Sequence, residues 1–251
     1  IGPTFAGFLI VAVGEGMCFL INAISFLAVI IALLAMRITY KPQPSKATGL
    51  EQLKEGFTYA FGFAPIRYIL LLVGFVSLMG TTYTVILPVV AKDVLQGGAQ
   101  TLGYLMSCAG AGALIGAIFI ASQKKIISNL VKNIILSASF VGCGLIVFSL
   151  SRILLVSLAI MVVISIAQMV YVASCNTLVQ TLVDDDKRGR VMSIYMMAFI
   201  GMGTFGSLLV GAMASKLGAP VTIMIGGICM ALGAISFASK RHLITEALNT
   251  K

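Results

Sequence analysis

Polar side chains recur inside an apolar stretch between residues 168 and 180, and they are suited to binding a small molecule. Gln168, Tyr171, Asn176 and Gln180 project on one side of a predicted helix. Amide and phenol groups donate and accept hydrogen bonds without carrying a charge. Inside a membrane, such side chains either hydrogen-bond to neighbouring helices or line a polar cavity that binds substrate. The sequence leaves both interpretations open.

A second polar cluster surrounds Gly80 in another apolar stretch. Its members carry hydroxyl groups and lie close together along the chain: Ser77, Thr81, Thr82, Tyr83 and Thr84. A glycine weakens a helix, so this helix could bend and act as a gate, or the cluster could simply pack. We take Thr81 and Tyr83 as further candidates for a substrate cavity, and Gly80 as a candidate for packing or gating.

The sequence offers no constellation of residues for catalysis. Its one histidine, His242, lies near the C-terminus, and no Ser-His-Asp set, metal-ligand spacing or phosphate-binding loop is present. The five cysteines lie in apolar runs without a C-x-x-C pair, which is typical of packing residues. We therefore predict that the chain is not an enzyme and binds no metal and no cofactor.

The composition predicts that the polar candidates lie in a membrane. The chain has 251 residues, of which 59% are hydrophobic and 10% are charged, and its mean hydropathy is +1.08. A soluble domain has about 25% charged residues. The predicted fold class is an all-α polytopic membrane protein with about seven and a half transmembrane helices.

The distribution of charge predicts how the helices are oriented. The net charge is +9, but the 17 basic residues are not gathered on one face, as nucleic-acid binding would require. Fourteen of the 17 lie in alternate segments: 37–67, 122–133, 184–190 and 240–251. Positive residues favour the cytoplasmic side of a membrane. We therefore place these segments, including the C-terminus, in the cytoplasm, and we predict no nucleic-acid partner.

The apolar segments define the expected order of spans. Residues 1–13 form about half a span, residues 14–16 a tight polar turn, and residues 17–36 a full span. Residues 50–63 have the apolar spacing of an amphipathic helix on the bilayer surface. Six spans follow: 68–87, ended by Pro88, then 102–121, 134–150, 153–183, 191–214 and 221–238.

This order divides the chain into four parts. They are residues 1–36, a central cytoplasmic loop with the amphipathic helix at 37–64, a six-helix part at 65–240, and a cytoplasmic tail at 241–251. The chain begins with an isoleucine inside an apolar run and shows no basic segment or cleavage site of a signal peptide. We therefore expect that its natural beginning is missing.

The span at 191–214 combines the densest charge of the chain with closely spaced glycines. Asp184, Arg188 and Arg190 belong to the charged stretch before it, which we interpret as a solvated loop at the membrane surface. The glycines within the span are Gly201, Gly203, Gly206 and Gly211. Small residues let helices approach closely, either for packing alone or because two halves of a transporter rock against each other at this face.

Three short blocks of the sequence resemble the major facilitator superfamily. Gly2-Pro3-x-x-x-Gly7 is similar to the glycine–proline signature of the fifth span of that superfamily. Residues 53–57 and residues 188–193 are similar to blocks of its branch of enterobactin exporters and related drug-efflux permeases. The resemblance implies that Gly2, Pro3 and Gly7 serve in packing or gating.

The resemblance also implies an arrangement and a function. The superfamily has twelve spans in two halves, so residues 1–36 are expected to end the first half and residues 65–240 to supply spans seven to twelve. Spans one to four of the same protein are then a missing partner. We expect a monomeric secondary transporter in a bacterial inner membrane, which exports a small amphipathic molecule such as a siderophore or drug. Proton coupling is expected in the intact protein, with the coupling acid in the missing spans.

Two alternatives to export stay open from the sequence. The chain could belong to an uptake permease for a small solute. It could instead be a non-transporting membrane scaffold or fragment. The lipid bilayer is an expected partner in every case, and a small-molecule substrate is an expected partner of a transporter. Neither alternative is excluded by the residues alone.

Overall fold

The computed structural model describes residues 2–36, 49–80, 82–123 and 126–249. All regular elements of these ranges are helical, with no strand among them. Within the same ranges, seven helical stretches are long and apolar enough to cross a membrane. The predicted all-α class of a polytopic membrane protein is confirmed.

The chain divides into two compact units, residues 1–48 and residues 49–251. The first unit contains α1 (Gly2–Ala35). The second unit contains these helices: α2 (Gly49–Gly62), α3 (Ala64–Met79), α4 (Leu87–Val89), α5 (Ala99–Ala121), α6 (Ile126–Leu150), α7 (Leu154–Leu182), α8 (Arg188–Met196), α9 (Met202–Leu217), α10 (Ala219–Ser239) and α11 (Arg241–Asn249). The amphipathic helix predicted at 50–63 is present as α2, and it belongs to the same unit as the six spans.

Helix α1 continues through residues 14–16, where the sequence predicted a tight polar turn. That prediction is wrong, because two glycines lower helix stability without breaking a helix as an internal proline does, and glutamate favours a helix. The apolar part long enough to span a membrane is Gly16–Ala35. Gly2, Pro3 and Gly7 belong to α1, but their packing lies outside what the structure describes.

The first span of the second unit is interrupted, and we call it the broken span (Ala64–Val94). After α3 ends at Met79, the chain forms a 3-10 segment at Thr82–Ile86, the short α4, and a π-helical segment at Val90–Val94. The expectation that Pro88 ends this span is wrong. Proline lies in the first turn of α4, where its missing N–H removes no helical hydrogen bond.

The span near the C-terminus that carries the glycines also departs from a regular helix, and we call it the bulged span (Arg188–Leu217). A π-helical segment at Met197–Gly201 lies between α8 and α9. Arg188 and Arg190, which the sequence assigned to a loop, lie in the first turn of α8, whereas Asp184 lies in the connection before it. Gly218 then has a φ of 84°, in the left-handed region that glycine adopts without strain. This conformation lets α9 and α10 join directly.

The remaining spans, α5, α6, α7 and α10, are continuous helices, and we call them the regular bundle. A Cβ placed at Gly112 of α5 would lie 2.5 Å from the Val162 carbonyl oxygen of α7, and one at Gly116 would lie 2.6 Å from that of Ile166. Glycine is therefore required for this close approach of backbones. Gly142 of α6 and Gly227 of α10 approach each other in the same way, each 2.7–2.8 Å from the other's carbonyl oxygen when given a Cβ.

The C-terminal segment expected as a polar tail forms the helix α11 over most of its length. Ile244 is fully buried, while Arg241, His242 and Glu246 are exposed. Its apolar residues, which include Ala247 and Leu248, recur at helical spacing, so the signal was present in the sequence. The helix packs against α3, α6, α7 and α10.

Candidate functional site

A line of polar side chains runs along α7 inside the apolar bundle. Its members recur at every third residue: Ser165, Gln168, Tyr171 and Ser174. Residues three apart are neighbours on a helix surface, and because three residues turn through about 300°, the line winds gradually around α7. The Oε1 atom of Gln168 and the Oγ atom of Ser174 are buried and have no hydrogen-bond partner among the residues that the structure describes. Burying a polar atom without a hydrogen-bond partner costs free energy. These two atoms are therefore suited to binding water or a ligand.

Tyr171 lies at the centre of an aromatic cluster that joins α7 to the bulged span. It is 1% exposed, and its hydroxyl lies against the thiol of Cys175 one turn away. Tyr195 of α8 lies beside Cys175 and stacks on Phe199 of the π-helical segment, with ring centroids 6.4 Å apart. The cluster places the irregular part of the bulged span next to the polar line of α7.

The four candidates predicted on α7 do not share one environment. Asn176 is half-buried and Gln180 is exposed, and the Nε2 atom of Gln180 donates to the Oδ1 atom of Asn176 at 2.5 Å. Gln168 and Tyr171 belong instead to the polar line of α7. Gln168 is also half-buried, although its Oε1 atom is buried, and Tyr171 is fully buried. Ser165 and Ser174 were not among the predicted candidates, although their spacing of three residues from Gln168 and Tyr171 is visible in the sequence.

The broken span also reaches the polar line. Tyr83, in the 3-10 segment, is buried, and its hydroxyl forms a hydrogen bond with that of Ser165, in which either oxygen can be the donor. Thr81, the other candidate of this cluster, lies outside the described residues. The break in the span therefore positions one predicted cavity residue against α7.

The glycines of neighbouring spans meet the end of α3, just before the break. A Cβ placed at Gly206 of α9 would overlap the backbone of Leu78, and one at Gly226 of α10 would lie 2.8 Å from the Met79 carbonyl oxygen. A Cβ at Gly80 would lie 2.9 Å from the Met230 sulfur. Two neighbouring helices thus hold the last turn of α3 by direct backbone approach.

The other predicted glycines of the bulged span are less constrained. A Cβ at Gly203 would lie 4.0 Å from the Ser77 carbonyl oxygen, and at Gly201 the nearest atom, 3.8 Å away, belongs to Met197 of the same span. At Gly211 the described part of the chain places no atom within 4 Å. Close approach in this span is concentrated at Gly206.

Comparison with known proteins identifies the family of the chain. A family model described as "Transmembrane secretion effector", of the major facilitator type, matches residues 1–251. The chain belongs to this family. It is therefore a multi-pass membrane protein of the major facilitator superfamily, and the resemblance noted in the sequence is confirmed.

A curated relative gives a more specific comparison for this secretion-effector family member. The "Staphyloferrin A transporter" of Staphylococcus aureus (strain NCTC 8325 / PS 47) is 27% identical over 228 residues, which are 91% of this chain and 57% of the relative. The chain thus spans little more than half the length of the relative that it matches. No solved structure matches the chain at a significant level.

At the charged end of the second unit, side chains of α2 bind side chains at the start of the bulged span and in the connection before it. The Nη1 atom of Arg190 donates to the Oε2 atom of Glu55 at 2.6 Å, and the Tyr59 hydroxyl donates to the Oδ2 atom of Asp184 at 3.0 Å. The Nζ atom of Lys187 lies 4.5 Å from the centroid of the Tyr59 ring. We call these residues, together with Gly56, the α2–α8 contact.

Gly56 explains why the two helices can approach at this contact. A Cβ placed there would lie 3.3 Å from the Cβ of Arg190 and 3.4 Å from the Cδ1 of Ile194. Burial, followed by the hydrogen bond to Asp184, raises the pKa of Tyr59 above 10.0 and keeps its phenol neutral as a donor. The two blocks that carried the resemblance to exporters, at 53–57 and 188–193, therefore meet in the structure.

The third charged candidate of this region is paired locally. The Nη2 atom of Arg188 forms an ion pair with the Oδ1 atom of Asp185 at 2.5 Å. Both side chains are largely exposed, at 46% and 88%. Exposed pairs of this kind contribute little to stability, so Arg188 does not hold α2.

Proposed function

We propose that the chain supplies spans seven to twelve of a secondary transporter that exports a small amphipathic molecule, such as a siderophore. The buried polar line of α7 carries this proposal, because unpartnered polar atoms inside a membrane bundle are suited to a substrate that offers hydrogen bonds. The family description, which names secretion, supports export. The name of the staphyloferrin A transporter supports a siderophore as the class of substrate.

In this proposal the polar line and the aromatic cluster form one wall of the substrate path. Gln168 and Ser174 supply hydrogen-bonding atoms, and Tyr171 and Tyr195 supply ring surfaces for apolar groups. The hydrogen-bonded pair of half-buried Asn176 and exposed Gln180 extends the polar surface toward the charged end. The opposite wall belongs to the first half of the intact transporter, which includes spans one to four.

Alternating access then uses the two irregular spans. Interrupted helices are common at the substrate sites of transporters, and π-helical turns are frequent at functional positions. The broken span contributes Tyr83 to the polar line, and the bulged span contributes Tyr195. A change at either interruption therefore changes the shape of the proposed path directly.

We also propose which side of the membrane the charged end faces and where a proton-coupling acid lies. The charged end of the bundle and the C-terminus face the cytoplasm of a bacterium, in keeping with the basic segments there. Between residues 64 and 239 the described acids, Asp93 and those at 184–186, all lie at the ends of spans. If transport is proton-coupled, the coupling acid lies outside this range. The intact transporter is proposed to be a monomer.

Transport by the full-length protein in inside-out vesicles tests the proposal. An iron-free siderophore should accumulate when a proton gradient is applied, and Gln168→Leu should lower the initial rate at least about tenfold, since it removes a hydrogen bond to a polar substrate. Asn176→Leu should have a smaller effect. Gln100→Leu is the matched control, because Gln100 bonds to Tyr104 at the other end of the bundle.

Two outcomes would contradict export through this wall. If Gln168→Leu lowered the amount of folded protein as much as the transport rate, Gln168 would have a packing role and no specific role in binding substrate. The absence of gradient-dependent flux in inside-out vesicles, with accumulation in right-side-out vesicles, would favour an uptake permease. Absence of flux in both orientations would favour a membrane scaffold.

A further inference from the structure

A groove between α3 and α10 opens on the surface of the six-span unit near its charged end. Its volume is about 390 Å³, and its lining is mostly apolar, with Leu71 and Phe75 on one side and Leu232 and Phe237 on the other. Leu71, Phe75 and Leu232 are 54%, 41% and 55% exposed, so the described residues leave them uncovered. This α3–α10 groove is distinct from the polar line of α7.

Two cations gather around one ring at the mouth of the groove. The Cζ atom of Arg67 lies 5.4 Å from the centroid of the Tyr68 ring, and the Nζ atom of Lys240 lies 5.9 Å from the same centroid. Both distances are within the range of a cation–π interaction. Tyr68 itself lines the groove, so the two positive charges stand where the apolar walls begin.

Neither cation is neutralised by the ion pairs found in the described part of the chain, which join Arg188 to Asp185 and Arg190 to Glu55. Arg67 donates from its Nη1 atom to the Phe61 carbonyl oxygen at 3.3 Å, and a guanidinium has further donors. The mouth of the groove therefore offers a positive charge and free N–H donors to an anion.

The groove runs in the direction in which a lipid molecule lies, from the headgroup at the membrane surface to the acyl chains in the hydrocarbon layer. Tyr68 lies in the second turn of α3, and Phe75 lies seven residues further along, which is about 10 Å at the rise of an α-helix. An anionic group at Arg67 and Lys240 would thus be followed by an apolar channel that enters the hydrocarbon layer. Tyrosine at such a boundary is typical of the membrane interface.

We propose that the α3–α10 groove binds an anionic phospholipid from the leaflet at the charged end. The phosphate lies between Arg67 and Lys240, and one acyl chain lies against Leu71, Phe75 and Leu232. Basic pockets between transmembrane helices are suited to anionic lipid headgroups. A free phosphate would use only the cations, and a zwitterionic lipid would lose the net attraction, so the complete groove selects an anionic lipid.

Native mass spectrometry of the detergent-solubilised full-length protein tests the headgroup contact. Phosphatidylglycerol and phosphatidylcholine are titrated separately against the wild type and the variant Arg67→Gln/Lys240→Gln. The wild type should retain phosphatidylglycerol, and the variant should bind it at least about tenfold more weakly, since each surface cation contributes about 1 kcal/mol to such attraction. The matched control is Lys92→Gln/Lys216→Gln, which removes two exposed cations from the opposite end.

A second variant tests the apolar groove with the cations left in place. Ser236 lines the groove and is exposed, so Ser236→Phe should fill the space of the acyl chain without disturbing the core. This variant should also lose phosphatidylglycerol. Glycerol 3-phosphate, which has the anion but no acyl chain, should compete with the lipid only at far higher concentration.

Each of these measurements can overturn the proposal. Equal loss of phosphatidylglycerol in the control and in Arg67→Gln/Lys240→Gln would indicate general electrostatic attraction. Unchanged retention in either test variant would show that the groove is empty or covered by another part of the transporter. Effective competition by glycerol 3-phosphate would show an anion site that does not use the groove. Circular dichroism of every variant establishes that the helices are intact.

Discussion

The regular bundle and the pair of irregular spans use glycine in different places. In the regular bundle, Gly112 and Gly116 let the continuous helices α5 and α7 lie against each other along their sides. In the irregular pair, Gly206 meets the backbone of Leu78 where α3 is about to end. The first arrangement fixes two helices; the second holds a helix terminus that has already lost its regular continuation.

This difference indicates which part of the molecule can change shape. Separating α5 from α7 would leave a long apolar interface without its packing, because small residues allow contact over the whole crossing. At the end of α3, the α-helical pattern gives way to the 3-10 segment Thr82–Ile86. We therefore propose that stability depends mainly on the regular bundle and that conformational change occurs in the irregular spans.

The largest expected effect is on the regular bundle. Gly112→Ala should destabilise the protein by about 1–3 kcal/mol, because the new Cβ overlaps the Val162 carbonyl group and the two helices cannot shift independently. Thermal unfolding in detergent measures the change. Gly103→Ala, on the same helix, is the matched control, since a Cβ there has no described atom within 4 Å.

Equal destabilisation by these two alanines would contradict the assignment of stability to the bundle contact. It would show that any loss of glycine in α5 is costly, independent of the close approach to α7. An increase in stability for Gly103→Ala is the expected direction, because alanine favours an α-helix over glycine.

The next largest effect is expected in the irregular pair of spans, where a substitution should change transport more than it changes stability. Gly206→Ala should reduce transport by the full-length protein more strongly than it reduces stability, because the end of α3 can yield to the new Cβ at the cost of its native geometry. Gly211→Ala, on the same helix, should leave flux unchanged, since no described atom lies within 4 Å of its Cβ position.

The two alanine substitutions should affect stability and flux in opposite proportions. Gly112→Ala should lower the unfolding temperature with little change in flux per folded molecule, and Gly206→Ala should do the reverse. If Gly206→Ala destabilised the protein as much as Gly112→Ala, the end of α3 would be part of the rigid scaffold instead of a place of change.

The regular bundle could be predicted from sequence more completely than the irregular pair. Apolar length alone located α5, α6, α7 and α10, since such segments have few alternatives in a membrane. The break after Met79 was anticipated only as a weakness at Gly80, because hydroxyl-rich segments suit both helices and turns. Pro88 was misread as an end, since proline also suits the first turn of a new helix.

The candidate site, too, could be predicted only in part from the sequence. The spacing of three residues that links Ser165, Gln168, Tyr171 and Ser174 was present in the sequence, but the sequence does not show which polar atoms lack a partner. The α2–α8 contact joins residues 135 positions apart, Glu55 and Arg190. Such a distant pairing follows from the fold and cannot be read from local pattern.

A smaller effect is expected at the α2–α8 contact, which anchors the start of the bulged span. The side chains of Arg190 and Glu55 are 33% and 59% exposed, so their ion pair should contribute no more than about 1 kcal/mol. A double-mutant cycle with Arg190→Gln and Glu55→Gln measures the coupling. The coupling should fall as ionic strength rises, because salt screens exposed charges.

The ion pair of Arg188 and Asp185 provides the control for that cycle. It joins the connection before α8 to the first turn of α8 and does not involve α2. Its removal should leave flux unchanged, whereas loss of the Arg190–Glu55 pair should alter flux if α2 restrains the bulged span. Equal changes in flux from both pairs would show that the charge of the region matters and that the position of α2 does not.

The smallest expected effect is the pH dependence of the same contact, through Tyr59. Burial and the Asp184 carboxylate raise the pKa of Tyr59 above 10.0, so folding favours the neutral phenol. Its contribution to stability is fully present below the unfolded pKa of 10.0 and is lost as pH rises through the higher folded pKa. Wild type and Tyr59→Phe should therefore converge in stability at strongly alkaline pH. A constant difference in stability between wild type and Tyr59→Phe, up to pH values above the folded pKa, would mean that the phenol does not hold α2 on the bulged span.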